Sequence, residues 1–206
     1  LDKAQLTQDY ESEGSGEYLG KMRAISSLIL THKDRGSDRD VLFVRLGGWD
    51  HHEQLKTNLS VRFKELNTAL GAFEKEMKAN GMWEQVSMIV TSEFARTLTP
   101  NSSEGSDHAW GGNYMLFGGS VLGGQIHGDF PSDMTPSGTL NIGRGRLIPT
   151  LSWESMLTPA VQWLGVQNEE ELDYCMPNRL ETGTRLFSVE DVFASPVRNL
   201  RGQAAD

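Results

Sequence analysis

The region between residues 41 and 91 carries the strongest fold signal in this chain. Residues 41–46 are almost continuously apolar, with the β-branched and aromatic types of a strand that is covered on both faces. Residues 53–80 carry apolar side chains at helical spacing and end at Asn80-Gly81, a pair typical of a helix C-terminus. Residues 86–91 again look like a strand. Strand, long helix and strand predict a βαβ unit whose two strands run parallel.

The other segments predict shorter elements around this unit. Amphipathic spacing indicates a helix over residues 17–32, and Ser152 is placed to cap a later helix. Residues 169–173 indicate a short acidic helix. Short apolar pieces between glycines predict short strands or a hairpin within residues 114–127, and an exposed loop follows over residues 132–146. We therefore expect an α/β protein with one core.

Composition and charge argue against several classes of protein. The formal net charge of -9 disfavours a nucleic-acid surface, because phosphate backbones are bound by clustered Lys and Arg. No stretch approaches the roughly 18 apolar residues of a membrane helix, and the first residues lack the pattern of a signal peptide. The single cysteine, Cys175, excludes an intrachain disulfide framework and a multi-thiolate metal site. We expect neither a nucleic-acid partner nor a membrane span.

Both predicted strands end in residues of the types that bind metals. Gly-Gly-Trp-Asp-His-His follows the first at residues 47–52, and Ser-Glu-Phe-Ala-Arg follows the second at residues 92–96. A third polar segment, Gly-Ser-Asp-His-Ala-Trp-Gly-Gly, occupies residues 105–112. Ligands of open α/β sheets bind beyond the carboxyl ends of the strands, so these segments predict one metal or hydrolytic site. The candidates are Asp50, His51, His52, Glu93, Asp107 and His108.

Asp50 and His52 are the favoured metal ligands of the first segment. Side chains alternate along an extended chain, so these two can point one way while His51 points the other. Imidazole nitrogen and carboxylate oxygen are both ligands that zinc accepts. The structural alternative is that Asp50 caps the helix that starts near Glu53 and the histidines lie on the surface.

The other candidates have structural interpretations as well. Glu93 and Arg96 can form a partly buried ion pair that holds their loop. Asp107 and His108 can belong to a turn, because Gly-Ser-Asp-His in a glycine-rich loop forms turns readily. What favours a site is the convergence of three polar segments.

Several of these segments resemble the domain-of-unknown-function family 1501. The resemblance rests on Gly-Gly-Trp-Asp-His-His, Ser-Glu-Phe-Ala-Arg-Thr-Leu-Thr-Pro-Asn, Gly-Ser-Asp-His-Ala-Trp-Gly-Gly, Phe-Gly-Gly-Ser-Val-Leu-Gly-Gly and Gly-Arg-Leu-Ile-Pro-Thr, in this order between residues 42 and 178. That family is placed with the alkaline phosphatase and sulfatase superfamily of metal-dependent hydrolases. The resemblance implies a three-layer α/β/α fold with a mainly parallel sheet. Many members carry export signals, which implies a periplasmic or secreted location.

The resemblance also implies roles for individual residues. Asp50 resembles the aspartate ligand of the superfamily, but Gln54 stands where a histidine is usual, so His52 would substitute for it. Glu93 matches the acid of an Asp-His pair whose histidine is replaced by Phe94. A late histidine ligand of the same site corresponds to His108, as the third metal ligand with Asp50 and His52. The expected cofactor is a divalent metal, with zinc ahead of calcium, magnesium or manganese.

The residues expected to act on the substrate are Glu93, Arg96 and Asn101. Glu93 or His52 is suited to proton transfer if it does not bind the metal. The guanidinium fork of Arg96 fits a tetrahedral anion, and Asn101 is a further candidate to hold that anion. Arg144 and Arg146 are alternatives for the same role, unless they lie in a solvated loop.

The resemblance covers what looks like the C-terminal half of such a hydrolase. Superfamily enzymes carry their nucleophile near the start of the domain, so we expect a fold that is incomplete at the N-terminal side. The expected organisation is an arm over residues 1–16, the alkaline phosphatase-like half-domain over residues 17–178 and an extension over residues 179–206. An open sheet edge predicts association with the missing N-terminal half, another copy or a partner chain.

The expected function is therefore metal-dependent hydrolysis of a small anionic phosphate or sulfate ester. The alternative is a degenerate, non-catalytic module that serves as a structural or interaction subunit. Metal content and hydrolysis, measured on the protein and on variants of its proposed ligands, distinguish the two.

Overall fold

The computed structural model describes residues 4–11 and 16–194. The chain divides into two compact units. The first comprises the described residues up to Val86 together with Asn101–Gly105, and the second comprises Ser87–Pro100 together with the described residues from Ser106 onward. Five helices and four short strands occur in the described residues: α1 (Glu17–Leu30), α2 (Leu55–Ala79), β1 (Ser87–Val90), β2 (Ala95–Arg96), β3 (His108–Ala109), β4 (Met115–Gly118), α3 (Trp153–Trp163), α4 (Glu169–Cys175) and α5 (Val189–Val192).

The first unit is built on the packing of α1 against α2. Leu19 and Met22 of α1 are buried, as are Phe73 and Met77 of α2, because their helical spacing keeps each pair on one face. Both helices begin and end within two residues of the bounds that their periodicity predicts. The amphipathic pattern therefore predicted these elements correctly.

A buried carboxylate ties the N-terminal segment to this helix pair. Glu76 of α2 is fully buried, and its oxygens accept hydrogen bonds from the backbone N–H groups of Thr7 and Gln8 at 2.7–3.1 Å. Asn80 Nδ2 donates to the same carboxylate at 2.7 Å. Residues 4–11, which the sequence suggests are part of an arm, are thus bound to α2 at this point.

Tyr10 gives the first unit an alkaline limit of stability. Its ring is buried, its hydroxyl lies 2.7 Å from Ser26 Oγ, and burial raises its pKa to about 12 from 10.0. A raised phenol pKa adds stability that is fully present below pH 10 and is lost as the pH rises through 12. We expect the free energy of unfolding to fall by about 2 kcal/mol over this interval.

Urea titrations between pH 8 and pH 12 measure this loss. Tyr10→Phe should be less stable at pH 8, because it lacks the hydroxyl contact with Ser26, and should show a weaker decline above pH 10. Part of the decline should persist, since burial also raises the pKa values of Tyr18 and Tyr114. An identical decline in the wild type and in Tyr10→Phe would contradict the prediction.

The predicted three-layer fold with a mainly parallel sheet is wrong. Residues 41–46 form no strand, and Val41 and Phe43 are 84% and 91% exposed. An apolar run specifies a strand only when a partner strand is available to pair with its backbone groups. The parallel βαβ unit therefore lacks its first strand.

The second predicted strand is present, but its partner is antiparallel. β1 pairs with β4, with Ser87 opposite Gly118 and Val90 opposite Met115. β2 and β3 form a second two-stranded antiparallel sheet. Parallel pairing needs a crossover from a preceding strand, whereas these strands lie close enough in sequence to pair directly. The observed sheets are thus local pairings within the second unit.

The glycine-rich middle of the chain contains little regular structure. Residues 114–117 largely coincide with β4, as predicted. Val121 forms only an isolated bridge with Phe193, and residues 125–127 contain no strand. Turns and bends fill residues 132–146. The alternative of a hairpin within residues 114–127 is not observed.

The core of the second unit lies beneath α3 and α5. Trp163, Phe187, Val192 and Phe193 are buried together, and Ile89 of β1 packs against them. The rings of Trp163 and Phe193 stack with centroids 5.0 Å apart. α3 begins at the residue after Ser152, and α4 extends over Glu169–Cys175. Among the described residues, none of the helices is long and apolar enough to cross a bilayer.

Candidate metal centre

Aromatic contacts hold the segment that carries the first candidate ligands. Trp49 stacks on Tyr18 at 6.3 Å and meets the edge of Phe63 at 5.1 Å between ring centroids. The Tyr18 hydroxyl donates to the carbonyl of Gly47. Gly47 and Trp49 therefore contact both helices of the first unit, directly before the polar residues Asp50 to His52.

Asp50 and His52 lie side by side at the end of this segment. His52 Nε2 is 3.0 Å from Asp50 Oδ1, and the two side chains are 50% and 54% exposed. Their closeness agrees with the alternation that led us to favour this pair. Two zinc ligands at about 2.0–2.2 Å from one tetrahedral ion lie roughly 3.4 Å apart. The separation of this imidazole and carboxylate is close to that value.

A polar cavity of about 360 Å³ opens beside this pair. Its lining includes two carboxylates and no lysine or arginine. The lining residues are Asp50, His51, His52, Glu53, Asn58 and Ser103. Sequence analysis did not identify Asn58 or Ser103, because neither belongs to a segment with metal-binding character. They contribute an amide and a hydroxyl to the cavity.

The start of α2 does not use Asp50 as its N-cap residue. The N-cap position is Gln54, whose backbone is left-handed at φ 45°. The N–H groups of Gln54 and Leu55 donate to the carbonyls of Ser103 and Glu104 at 3.1 and 2.9 Å. Backbone groups of a second segment thus satisfy the first amides of the helix.

His108 lies in the second unit, on β3. It is opposite Arg96 in the β2–β3 register, and Phe94 stacks on its imidazole with centroids 3.8 Å apart and planes 11° apart. Phe94 therefore contacts a proposed ligand through its ring face. This stacking holds the imidazole orientation.

Arg96 contacts other residues of the second unit. Its guanidinium lies 5.3 Å from the centre of the Phe94 ring, and Nη1 donates to the Ser106 carbonyl at 2.5 Å. Glu93 is exposed at the end of the loop after β1. A role for Glu93 or Arg96 in catalysis stays a prediction.

Asp107 has partners in the second unit as well. Arg144 Nη2 lies 2.6 Å from Asp107 Oδ2. The backbone of Asp107 exchanges hydrogen bonds with Thr97, through the Thr97 N–H and Oγ1. Arg146 donates to the carbonyls of Gly143 and Ile142 within its own turn. Both arginines considered as anion binders therefore contact protein groups.

Asn101, which the sequence suggested could hold an anion, belongs to the first unit. Its Nδ2 donates to the carbonyl of His52 at 2.9 Å. Its Oδ1 accepts from the N–H groups of Ser103 and Gly105. Residues 101–105, Asn-Ser-Ser-Glu-Gly, have the residue types of a turn. That pattern was the sequence signal for the hydrogen bonds between Asn101 and the backbone of Ser103 and Gly105.

Asp50 and His52 bring one carboxylate and one imidazole together in the first unit, and the third proposed ligand, His108, belongs to the second unit. All three are exposed. One carboxylate and two imidazoles match the ligand types of catalytic zinc sites, in which three protein groups leave a position for water or substrate. The donor set therefore fits a divalent ion of the zinc type.

Comparison with known proteins yields one match. The model of the family described as "Protein of unknown function (DUF1501)" matches residues 3–137, more than half of the chain. No curated protein and no solved structure matches the chain. The matched region contains the first four of the five segments on which the resemblance was based, and the fifth, at residues 145–150, follows it. The chain belongs to the DUF1501 family.

Proposed function

We propose that this protein is a metal-dependent hydrolase of phosphate or sulfate esters whose divalent ion is held by Asp50, His52 and His108. The observation that carries the proposal is the Asp50–His52 pair, 3.0 Å apart and half-exposed beside a polar cavity. Ionisable side chains of this kind in a cavity are typical of functional sites. The hydrolase class itself follows from the resemblance to the alkaline phosphatase and sulfatase superfamily.

Ligand chemistry favours zinc among the divalent ions. Two imidazoles and one carboxylate suit zinc, whereas calcium and magnesium prefer oxygen ligands. When bound, such an ion polarises the ester and neutralises charge that develops on oxygen. Asp50, His52 and His108 would hold that ion.

The charge of the cavity supports a dependence on metal. Asp50 and Glu53 carry carboxylates into its lining, and no lysine or arginine lines it. An anionic ester is repelled by such a lining in the absence of a cation. Asn58 and Ser103 supply hydrogen-bonding groups for the polar part of a substrate. Glu93 remains the proposed proton-transfer group, and Arg96 the proposed anion contact.

One observation favours the non-catalytic alternative. Val41 and Phe43 expose most of their surface. They lie shortly before the ligand segment, residues 47–52, in the chain. Exposed apolar patches commonly mark sites of protein association. In this alternative the protein is an interaction module, and any bound ion serves its structure.

We expect the purified protein to bind Zn²⁺, and Asp50→Ala, His52→Ala and His108→Ala each to weaken binding by at least about 100-fold. Loss of a side chain that hydrogen-bonds to a metal ligand costs about 10–100-fold in metal affinity, and loss of the ligand itself should cost at least as much. Isothermal titration calorimetry with ZnCl₂ measures the affinity. His32→Ala is the matched control, because His32 contacts the Ser37 carbonyl in a loop that follows α1.

Hydrolysis of p-nitrophenyl phosphate and p-nitrophenyl sulfate then separates the two functions. Zinc-dependent hydrolysis that falls in all three ligand variants supports the hydrolase. Zinc binding without hydrolysis of any ester supports the interaction module. Zinc affinity that is the same in the wild type and in all three ligand variants contradicts the metal centre itself.

A further inference from the structure

A compact turn lies directly behind the Asp50–His52 pair in the first unit. It comprises residues 101–105, and both the side chain and the backbone of Asn101 form hydrogen bonds within it. Asn101 Oδ1 accepts from the N–H groups of Ser103 at 2.9 Å and Gly105 at 3.0 Å, and the Asn101 N–H donates to the Gly105 carbonyl at 3.0 Å. An asparagine side chain that bonds to backbone N–H groups two and four residues ahead keeps such a turn in one conformation.

This turn holds the ligand segment at consecutive backbone positions. Asn101 Nδ2 donates to the His52 carbonyl at 2.9 Å. The Ser103 carbonyl accepts from the N–H of Gln54, the N-cap residue of α2, and the Glu104 carbonyl accepts from the N–H of Leu55. Glu104 adopts a left-handed backbone, with φ 58°, and forms a bridge with Glu53. The backbone that carries the His52 imidazole is therefore bonded on its C-terminal side to residues 101–104.

Gly105 brings the turn into contact with the ligand segment. A Cβ at this position would lie 2.1 Å from the His52 carbonyl carbon and oxygen. The turn therefore packs on the peptide group next to the ligand, and only a residue without a side chain permits this approach. Asn58 adds a hydrogen bond from α2 to the Glu53 carbonyl at 3.1 Å.

We infer that Asn101 is a positioning residue for His52 as a metal ligand. The inference rests on the proposed function, because it concerns the same ion. Asn101 acts through the His52 carbonyl and through the turn. Fixing the backbone on which a ligand stands reduces the entropy lost when the ion binds, and looser support of a site costs affinity.

The second unit supplies a matched control. Asn141 closes the same kind of turn, with Oδ1 accepting from the N–H groups of Gly143 at 2.9 Å and Gly145 at 3.1 Å. Its Nδ2 donates to the Thr135 carbonyl at 2.9 Å. Substitutions of Asn101 and Asn141 thus remove equivalent hydrogen bonds from two turns, only one of which supports the ligand segment.

The experiment compares Asn101→Asp, Asn101→Ala and Asn141→Ala. Aspartate keeps an acceptor for the turn and loses the donor to the His52 carbonyl, whereas alanine loses both. We expect zinc affinity, measured by calorimetry, to fall about 10-fold in Asn101→Asp and up to about 100-fold in Asn101→Ala. The affinity of Asn141→Ala should match that of the wild type. Thermal unfolding shows whether the two alanine variants are destabilised to a similar extent.

Two readouts separate positioning from loss of stability. NMR of the histidine ring protons in metal-free protein should show a shift of the His52 resonance in Asn101→Ala and no shift in Asn141→Ala. The visible spectrum of bound Co²⁺ should change in Asn101→Asp, because it reports the ligand geometry. Zinc affinity and a His52 resonance equal to those of the wild type in Asn101→Ala would overturn the inference alone. Absence of zinc binding by the wild type would overturn the proposed function and, with it, the inference.

Discussion

Gly105→Ala is expected to destabilise the protein by about 3 kcal/mol and to weaken metal binding. The added Cβ would lie 2.1 Å from the His52 carbonyl group and 2.4 Å from the Glu53 backbone nitrogen. All three of these atoms belong to the backbone, so no side-chain rotation relieves the clash. Overpacking costs typically 1–3 kcal/mol, and a clash with backbone belongs at the upper end of that range.

The surrounding hydrogen bonds explain why the clash is not easily relieved. Moving residues 101–105 away from His52 stretches the bonds from the N–H groups of Gln54 and Leu55 to Ser103 and Glu104. Moving His52 instead breaks the bond from Asn101 to its carbonyl. Either movement displaces the backbone of a proposed ligand. The loss of zinc affinity should therefore accompany the loss of stability.

Gly71→Ala is the matched control for this substitution. Gly71 lies within α2, and a Cβ there meets nothing within 4 Å. Alanine in a helix interior is favoured over glycine by about 0.5–1 kcal/mol, so this variant should be slightly more stable than the wild type. Urea denaturation and zinc calorimetry measure both variants. Stability of Gly105→Ala within about 0.5 kcal/mol of the wild type would refute the packing argument.

Glu76→Ala is expected to lower the free energy of unfolding by about 3 kcal/mol. The Glu76 side chain is fully buried, and its carboxylate accepts from the Thr7 N–H and hydroxyl, the Gln8 N–H and Asn80 Nδ2. Hydrogen bonds to a charged group contribute about 1.5–3 kcal/mol each, but they share one carboxylate and are not additive. Removing it leaves the Thr7, Gln8 and Asn80 donors without this acceptor.

Two variants test whether the carboxylate itself is responsible. Glu76→Gln retains the shape but replaces one acceptor by a donor, so it should lose part of the same stability. Glu74→Ala removes a half-exposed carboxylate that pairs with Lys78, and exposed pairs of this kind contribute under about 1 kcal/mol. Hydrogen exchange should show faster exchange of the Thr7 and Gln8 amides in Glu76→Ala only. Wild-type protection of both amides in that variant would refute this assignment.

The helices of the first unit were predictable because their signal is local. The periodic apolar residues of α1 and α2 specify both a helical conformation and the face that is buried. The cap at Asn80-Gly81 marks the end of α2 within a residue. No distant partner has to be known for these predictions.

The sheet was not predictable in the same way. Residues 41–46 and Ser87–Val90 have similar apolar patterns, yet only the second segment forms a strand. A strand depends on the backbone groups of another segment, and the partner of Ser87–Val90 is Met115–Gly118. The apolar pattern contains no information about which segment that is or in which direction it runs.

The candidate metal centre was likewise predictable from the sequence only in part. The residue types at Asp50 and His52, and their spacing of two, pointed to a pair on one side of an extended segment, and they lie 3.0 Å apart. The role of Asn101 was not predictable, because it depends on a hydrogen bond to a residue 49 positions earlier.

The sequence by itself determined the helices α1 and α2, the family and the types of residue that can bind a metal, because each depends on side chains close together along the chain. Only the tertiary structure decided that β1 pairs antiparallel with β4, that Glu76 binds the N-terminal segment and that residues 101–105 support His52. Each of these requires backbone groups far apart in sequence to satisfy one another, and composition and periodicity do not encode such pairings.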